Sequence, residues 1–147
     1  MKIVTLYKHY TSFTVKLQDI ALLLLRLILA YGFYNPAIMK LKDIHAIGDW
    51  FKELGMPAPY FNAYMAAGTE ITGVVLIALG LGTRIIAIPM IVVMLVAIKT
   101  VHWANGFNAG DNGYEIPLYY LLMLVALIAF GAGRISIDHW IAGRRKK

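Results

Sequence analysis

The sequence has no cysteine. Disulfides, thiolate metal sites, iron–sulfur ligation and any thiol–disulfide relay carried by this chain alone are therefore excluded. Charge is also scarce, with 15% of residues being Asp, Glu, Lys or Arg, against about 25% in soluble domains. Histidine is thinly spread. His102 stands apart from His9, His45 and His139, so the sequence predicts no metal site. It contains no Gly-rich phosphate loop, nucleophile elbow or haem-attachment motif.

What fills the chain instead is apolar sequence, 60% of 147 residues, with a mean hydropathy of +0.67. It gathers into four runs, Ile20–Tyr34, Ala63–Leu81, Ile85–Val101 and Ile116–Gly131. None shows the polar stripe of a soluble core helix. The reading is one domain over residues 1–147, an all-α, integral membrane, antiparallel four-helix bundle. Its spans are expected at about 19–35, 63–81, 85–102 and 116–132.

Two amphipathic segments read as interfacial helices. Over about 3–16, Ile3, Leu6, Tyr7, Tyr10, Phe13 and Leu17 share a face away from Lys2, Lys8 and Lys16. Asn35-Pro36 has the form of an N-cap followed by proline at the first helical position. It should open a second helix over about 36–54, with apolar positions Ile38, Leu41, Ile44, Ile47, Phe51 and Leu54 and with Trp50 as an anchor. Leu79-Gly80-Leu81-Gly82-Thr83-Arg84 forms a tight turn between spans two and three, and Pro89 is expected in or just beyond the first turn of span three.

The formal charge of +6 follows membrane topology rather than a nucleic-acid surface. Lys2, Lys8, Lys16, Arg84, Arg134 and the tail Arg144, Arg145, Lys146 and Lys147 all fall on one side of the expected spans. Residues 40–53 are balanced, and residues 104–115 hold Asp111 and Glu115 with no Lys or Arg. The positive-inside rule places both termini in the cytoplasm, in a plasma (bacterial inner) membrane, with anionic lipid as a secondary partner of the tail. Arg26 interrupts the first apolar stretch and no small-residue cleavage site follows it, which makes a poor cleavable signal peptide.

The chemistry resides in a few ionisable groups inside or beside the spans. Glu70 shares a helical face with Ala63, Ala66, Ala67, Gly73 and Val74, and small neighbours let helices approach closely. A charge alone in hydrocarbon costs about 2.5–3.5 kcal/mol on insertion scales, so Glu70 should face a partner or a cavity. Arg26 either snorkels or turns inward, and if inward it comes within reach of Glu70. Lys99, His102, Glu115 and Tyr119 belong to the outer ends of spans three and four. With Glu70 they are expected to line one cavity between spans two, three and four, as a proton path, a hydrogen-bond network or a polar-headed ligand pocket. Taken singly, Lys99, His102 and Glu115 also suit snorkelling or headgroup contact.

The ordered set LLLLRLILAYGFYNPAIMKLK, Glu70 followed by LGLGTR, His102 at the end of span three and GAGRISID after span four resembles the DoxX family of small four-helix membrane proteins. The resemblance covers about residues 20–140. Arg26, Glu70, His102 and Asp138 match its recurring polar positions, whereas Asn35-Pro36 stands where many relatives have glycine or a small residue. The family is named for its similarity to the membrane subunit of thiosulfate:quinone oxidoreductase, and other members are linked to redox or thiol-stress assemblies. The resemblance implies a membrane subunit that binds a quinone or similar lipophilic carrier and takes electrons from a redox partner protein. It supplies no agreed catalytic residues. The alternative is a non-catalytic assembly or anchoring subunit for a partner enzyme. A transporter would require homo-oligomerisation, since four spans show no internal repeat.

The cysteine-free background makes orientation directly measurable. A cysteine introduced at Asp111 should react with an impermeant maleimide added outside intact cells. Labelling only from the cytoplasmic face would invert the topology.

Overall fold

The computed structural model describes the backbone of residues 2–144 and the side chains of residues 10, 11, 14 and 17–144. The helices are α1 (Lys2–Lys42), α2 (Ile44–Glu53), α3 (Pro59–Leu79), α4 (Thr83–Ala97), α5 (Glu115–Phe130) and α6 (Ile137–Arg144). A π-helical turn, Ile98–His102, continues α4, and two short 3-10 turns lie in the loop before α5. No strand occurs among the described residues, so the chain is all-α as expected. Three stretches among them are long and apolar enough to cross a membrane: Leu17–Lys42, Pro59–Leu79 and Thr83–Asn105. The fourth apolar helix, α5, has only 16 residues, about 24 Å by helical rise, against a hydrocarbon core of about 30 Å. It ends at Phe130, two residues before the expected end at 132, and the next residue, Gly131, has a positive φ of 78°.

Helices α1, α3, α4 and α5 close a ring: α1 packs on α3, α3 on α4, α4 on α5, and α5 returns to α1. Leu29, Phe33, Ile77, Met90, Leu124 and Leu127 form the core between them. Glycines set the closest approaches. A Cβ at Gly73 would overlap Met90 of α4, and one at Gly32 would overlap the Tyr120 ring of α5. The outward faces are apolar too, with Leu24, Ile28 and Tyr31 of α1, Ile85, Ile88 and Leu95 of α4, and Leu122 of α5 all exposed. A surface this apolar belongs in lipid, and the protein is a membrane protein.

Three expectations need correction. Helix α1 runs through Pro36 without a break for 41 residues. The buried positions Leu22, Arg26, Leu29, Ala30, Phe33 and Ala37 continue in one helical phase across it. That packing outweighs the roughly 3 kcal/mol that an interior proline costs. The second interfacial helix is therefore only Ile44–Glu53. Its N-cap is Asp43, whose carboxylate accepts from Ala46 N at 3.0 Å. The chain also enters the first span directly, so the segment expected as a separate surface helix over 3–16 is an extension of α1. Most of the side chains of its apolar face, and the tail residues 145–147, lie outside those described. Pro89 sits inside α4 rather than at its start, because that helix already begins at Thr83.

Helix α2 folds back on the start of α3. Gly48 leaves room for the Tyr60 ring, whose hydroxyl donates to Asp49 Oδ1 at 2.5 Å. At the opposite end of the bundle, the turn between α3 and α4 is held from three sides. Arg26, fully buried, donates to Ile77 O at 3.3 Å and Ala78 O at 3.2 Å, and also to Ile135 O. Its cation thereby meets the negative end of the α3 dipole. Asp138 accepts from Gly82 N at 2.7 Å and Thr83 N at 3.1 Å, capping α4, while its own N–H donates to Gly80 O at 2.9 Å. Asp19 accepts from Arg134 N at 2.8 Å.

Gly80 and Gly82 both have positive φ, 67° and 57°, but their surroundings differ. A Cβ at Gly80 would lie 2.6 Å from Ser136 Cβ and against the Arg26 guanidinium, whereas one at Gly82 meets open space. Gly82→Ala should therefore lose only the left-handed backbone cost of about 1–2 kcal/mol. Gly80→Ala should lose clearly more, read as the fall in detergent melting temperature. Equal losses would show that the Arg26 knot tolerates the added atom.

Candidate functional site: a buried ion pair beside an apolar cavity

The sequence leads to Glu70, and the structure supplies a partner that the sequence reading did not name. Glu70 is 2% exposed. Both its oxygens accept from Lys40 Nζ, Oε1 at 3.0 Å and Oε2 at 2.8 Å. Lys40 reaches it because α1 is unbroken. Three residues beyond Ala37, it continues the buried stripe that contains Arg26. Continuing that phase through Pro36 is the signal that would have found it.

Arg26 does not approach Glu70. Its guanidinium bonds Ile77 O and Ala78 O, about ten ångströms along α3 from Glu70 by helical rise. The expected Arg26–Glu70 pair is thus replaced by Lys40–Glu70 and by a guanidinium whose two terminal nitrogens donate to backbone carbonyls. The buried head of Arg26 settles its orientation as inward.

The ion pair borders a cavity of about 640 Å³, within the range of small-molecule sites. All the spanning helices and α2 contribute to it. Its walls include Trp50, Phe51, Phe61, Met65, Met94 and Tyr120, and its polar groups include Lys40, Thr69, Glu70, Thr100, His102 and Asn112. Tyr120 is fixed by a ring contact with Phe33 at 5.5 Å. Phe61, Met65, Val92 and Ile116 also line the cavity and are exposed on the outer surface, so its mouth opens among lipid-facing side chains.

Of the six expected site residues, Glu70 and His102 line this cavity and the other four do not. Lys99 is exposed. The π-helical turn at Ile98–His102 adds a residue to the turn and breaks the 3.6-residue register that would have put Lys99 on the His102 face. Glu115 and Tyr119 bond each other, Tyr119 Oη donating to Oε1 at 3.0 Å, and Glu115 Oε2 accepts from Ala109 N at 3.0 Å. They brace the loop from outside while the next residue, Tyr120, faces the cavity. Asp138 belongs with Arg26 at the far end. Trp50, expected as an interfacial anchor, lines the cavity and stays 39% exposed.

His102 is held firmly. Its Nδ1 lies 2.8 Å from Asn112 O, which also accepts from Asn105 Nδ2 at 3.2 Å. The loop is pinned by Gly113 N to Asn108 O at 2.9 Å, Tyr114 N to Gly106 O at 3.1 Å and Glu115 N to Phe107 O at 3.0 Å. Tyr114 stacks on Trp103 with centroids 5.2 Å apart. Among the described residues, no group of three or more His, Cys, Asp or Glu is placed to hold a metal ion.

A double-mutant cycle separates the observed pair from the expected one. Lys40→Met and Glu70→Gln alone should each lower stability in detergent, Lys40→Met by about 3–5 kcal/mol because it leaves the buried Glu70 charge without its partner. The Lys40→Met/Glu70→Gln double variant should recover much of that loss. Arg26→Gln and Glu70→Gln should instead be additive within about 0.5 kcal/mol. Coupling in the second cycle and none in the first would reverse the assignment.

The comparisons with known proteins agree with this architecture. The DoxX family model matches residues 21–103, which contain Arg26, Lys40, Glu70 and His102. An uncharacterized protein of Haemophilus influenzae is 33% identical over 129 residues, 82% of this chain and 83% of the relative. The Bacillus subtilis protein named "Putative oxidoreductase CatD" is 29% identical over 128 residues, 87% of this chain and 92% of its own. An uncharacterized membrane protein of Mycobacterium tuberculosis is 29% identical over 131 residues, covering 82% and 80%. No solved structure matches the chain. With more than half its length matched by the family model and its polar positions placed in a helical membrane bundle, the chain belongs to the DoxX family.

Proposed function

We propose that the protein is the membrane subunit of a redox-linked assembly and that its cavity binds a quinone or a similar lipophilic carrier. The observation that carries this reading is the cavity itself, about 640 Å³ with aromatic and methionine walls, bordered by a buried Lys40–Glu70 pair. An apolar ring and tail suit those walls, and a mouth among lipid-facing residues suits a ligand dissolved in the bilayer. The name of the Bacillus subtilis relative, an oxidoreductase, supports the same direction. A chain without cysteine offers no thiol of its own, and in this reading electrons reach the carrier from a partner protein. The termini lie on the cytoplasmic side of a bacterial inner membrane, with the cavity in the outer half.

One observation favours a second reading. The Lys40 ammonium is chelated by both Glu70 oxygens at 3.0 and 2.8 Å, which also serves to fix the packing of α1 on α3 in a subunit that only anchors a partner. Photolabelling distinguishes the two. A photoreactive quinone should attach to cavity residues such as Met65, Met94 or Tyr120, and excess unlabelled quinone should suppress it. Attachment confined to the outer faces at Tyr31 and Ile85 would leave the anchoring subunit as the function.

A further inference from the structure

We propose that the cavity selects the reduced, hydroxyl-bearing form of an aromatic carrier, through an acceptor nitrogen on His102; the inference rests on the cavity reading above. The starting point is which ring nitrogen carries the proton. His102 Nδ1 lies 2.8 Å from Asn112 O, and a carbonyl oxygen can only accept, so Nδ1 is the donor. The same carbonyl receives a second hydrogen bond from Asn105 Nδ2 at 3.2 Å, so both its lone pairs face donors. A neutral imidazole has one N–H. With that proton on Nδ1, Nε2 is an acceptor, and it has no hydrogen-bond partner among the described residues.

The assignment is built into the loop rather than left to a freely turning side chain. Asn112 has a φ of 60°, a left-handed conformation that asparagine tolerates. The next residue, Gly113, admits no side chain, because a Cβ there would lie 2.6 Å from Asn108 O and 2.7 Å from the Phe107 carbonyl carbon. The carbonyl that fixes the tautomer is thus held by a turn with little freedom to rotate. The ring it orients belongs to the π-helical turn Ile98–His102, an irregularity often found at functional sites.

A quinone head carries carbonyl oxygens and no donor. It can accept from the Lys40 ammonium, which has a third N–H beyond the two directed at Glu70. It cannot satisfy Nε2, and an acceptor that loses its water without gaining a donor weakens binding. A hydroquinone, or any phenol of similar size, supplies an O–H to Nε2 and retains an oxygen that can accept. The site therefore discriminates by hydrogen-bond polarity, since the two redox forms share ring size and tail.

The test uses the full chain in lipid nanodiscs under anaerobic conditions. Titration calorimetry would compare a short-tailed hydroquinone, the matching quinone and the hydroquinone dimethyl ether. The hydroquinone should bind about tenfold more tightly than either of the others, and His102→Phe should bring it down to the affinity of the quinone. A preference for hydroquinone over its ether in the wild-type protein supports the proposal without needing the variant to fold. Equal affinity for all three overturns the hydroxyl selection and leaves the cavity reading standing. A preference that survives in His102→Phe overturns the role of His102. Absence of saturable binding by any of the three overturns both.

Discussion

A guanidinium removed from water inside a lipid-embedded bundle must find protein oxygens, and the rest of this structure is arranged around that requirement. Arg26 finds them on the backbone, at Ile77 O, Ala78 O and Ile135 O. The first two belong to the last turn of α3, where helix carbonyls lack intrahelical donors. One side chain of α1 therefore closes the end of α3 and ties down the segment that leads into α6. Asp138 completes the arrangement from that segment by capping α4 through Gly82 N and Thr83 N. Three of the four ring helices and α6 are joined at this end by groups that would each be costly to leave alone.

The other half of the bundle is built differently. There the helices are joined through the Lys40–Glu70 pair and through α2, which lies on the start of α3 with Tyr60 fitted against Gly48. Close backbone contacts at Gly73–Met90 and Gly32–Tyr120 bring α3 to α4 and α1 to α5, with the cavity in the space between. The polar groups separate along the same division: Arg26 and Asp138 at the closed end, Glu70 and His102 at the cavity.

What the residues made legible was whatever depends on apolar periodicity and local turn chemistry. The apolar runs, the Leu79–Arg84 turn, the amphipathic core of α2 and the inward face of Glu70 all follow from side-chain pattern. What stayed hidden has physical reasons that differ from residue to residue. The partners of Arg26 are carbonyls, which every residue has and no sequence marks. Lys40 was obscured because Asn35-Pro36 carries the local signature of a helix start, which tertiary packing overrode. Lys99 left the His102 face through a π-helical turn, for which Ile98–His102 shows no composition signal. In α5, the sequence from Ile116 to Phe130 is apolar on every side, so nothing in it distinguishes the cavity-facing Tyr120 from the outward Tyr119.

The separation of the two ends bears on how such a small bundle can carry a cavity at all. A void of this size removes contacts from every helix that lines it, and in a uniformly packed bundle that loss would be shared by the whole fold. Here the closed end does not depend on the lining residues. Arg26, Asp19 and Asp138 contribute nothing to the cavity wall, and Glu70, Thr100 and His102 contribute nothing to the knot. Variation in the cavity lining is then restrained mainly by the Lys40–Glu70 pair, which must remain matched, and by the loop carbonyl of Asn112, which must remain in place. Other lining positions, such as Met65, Val92 and Thr69, hold no interhelical polar contact among the described residues. Substitution there can reshape the cavity without dismantling the fold.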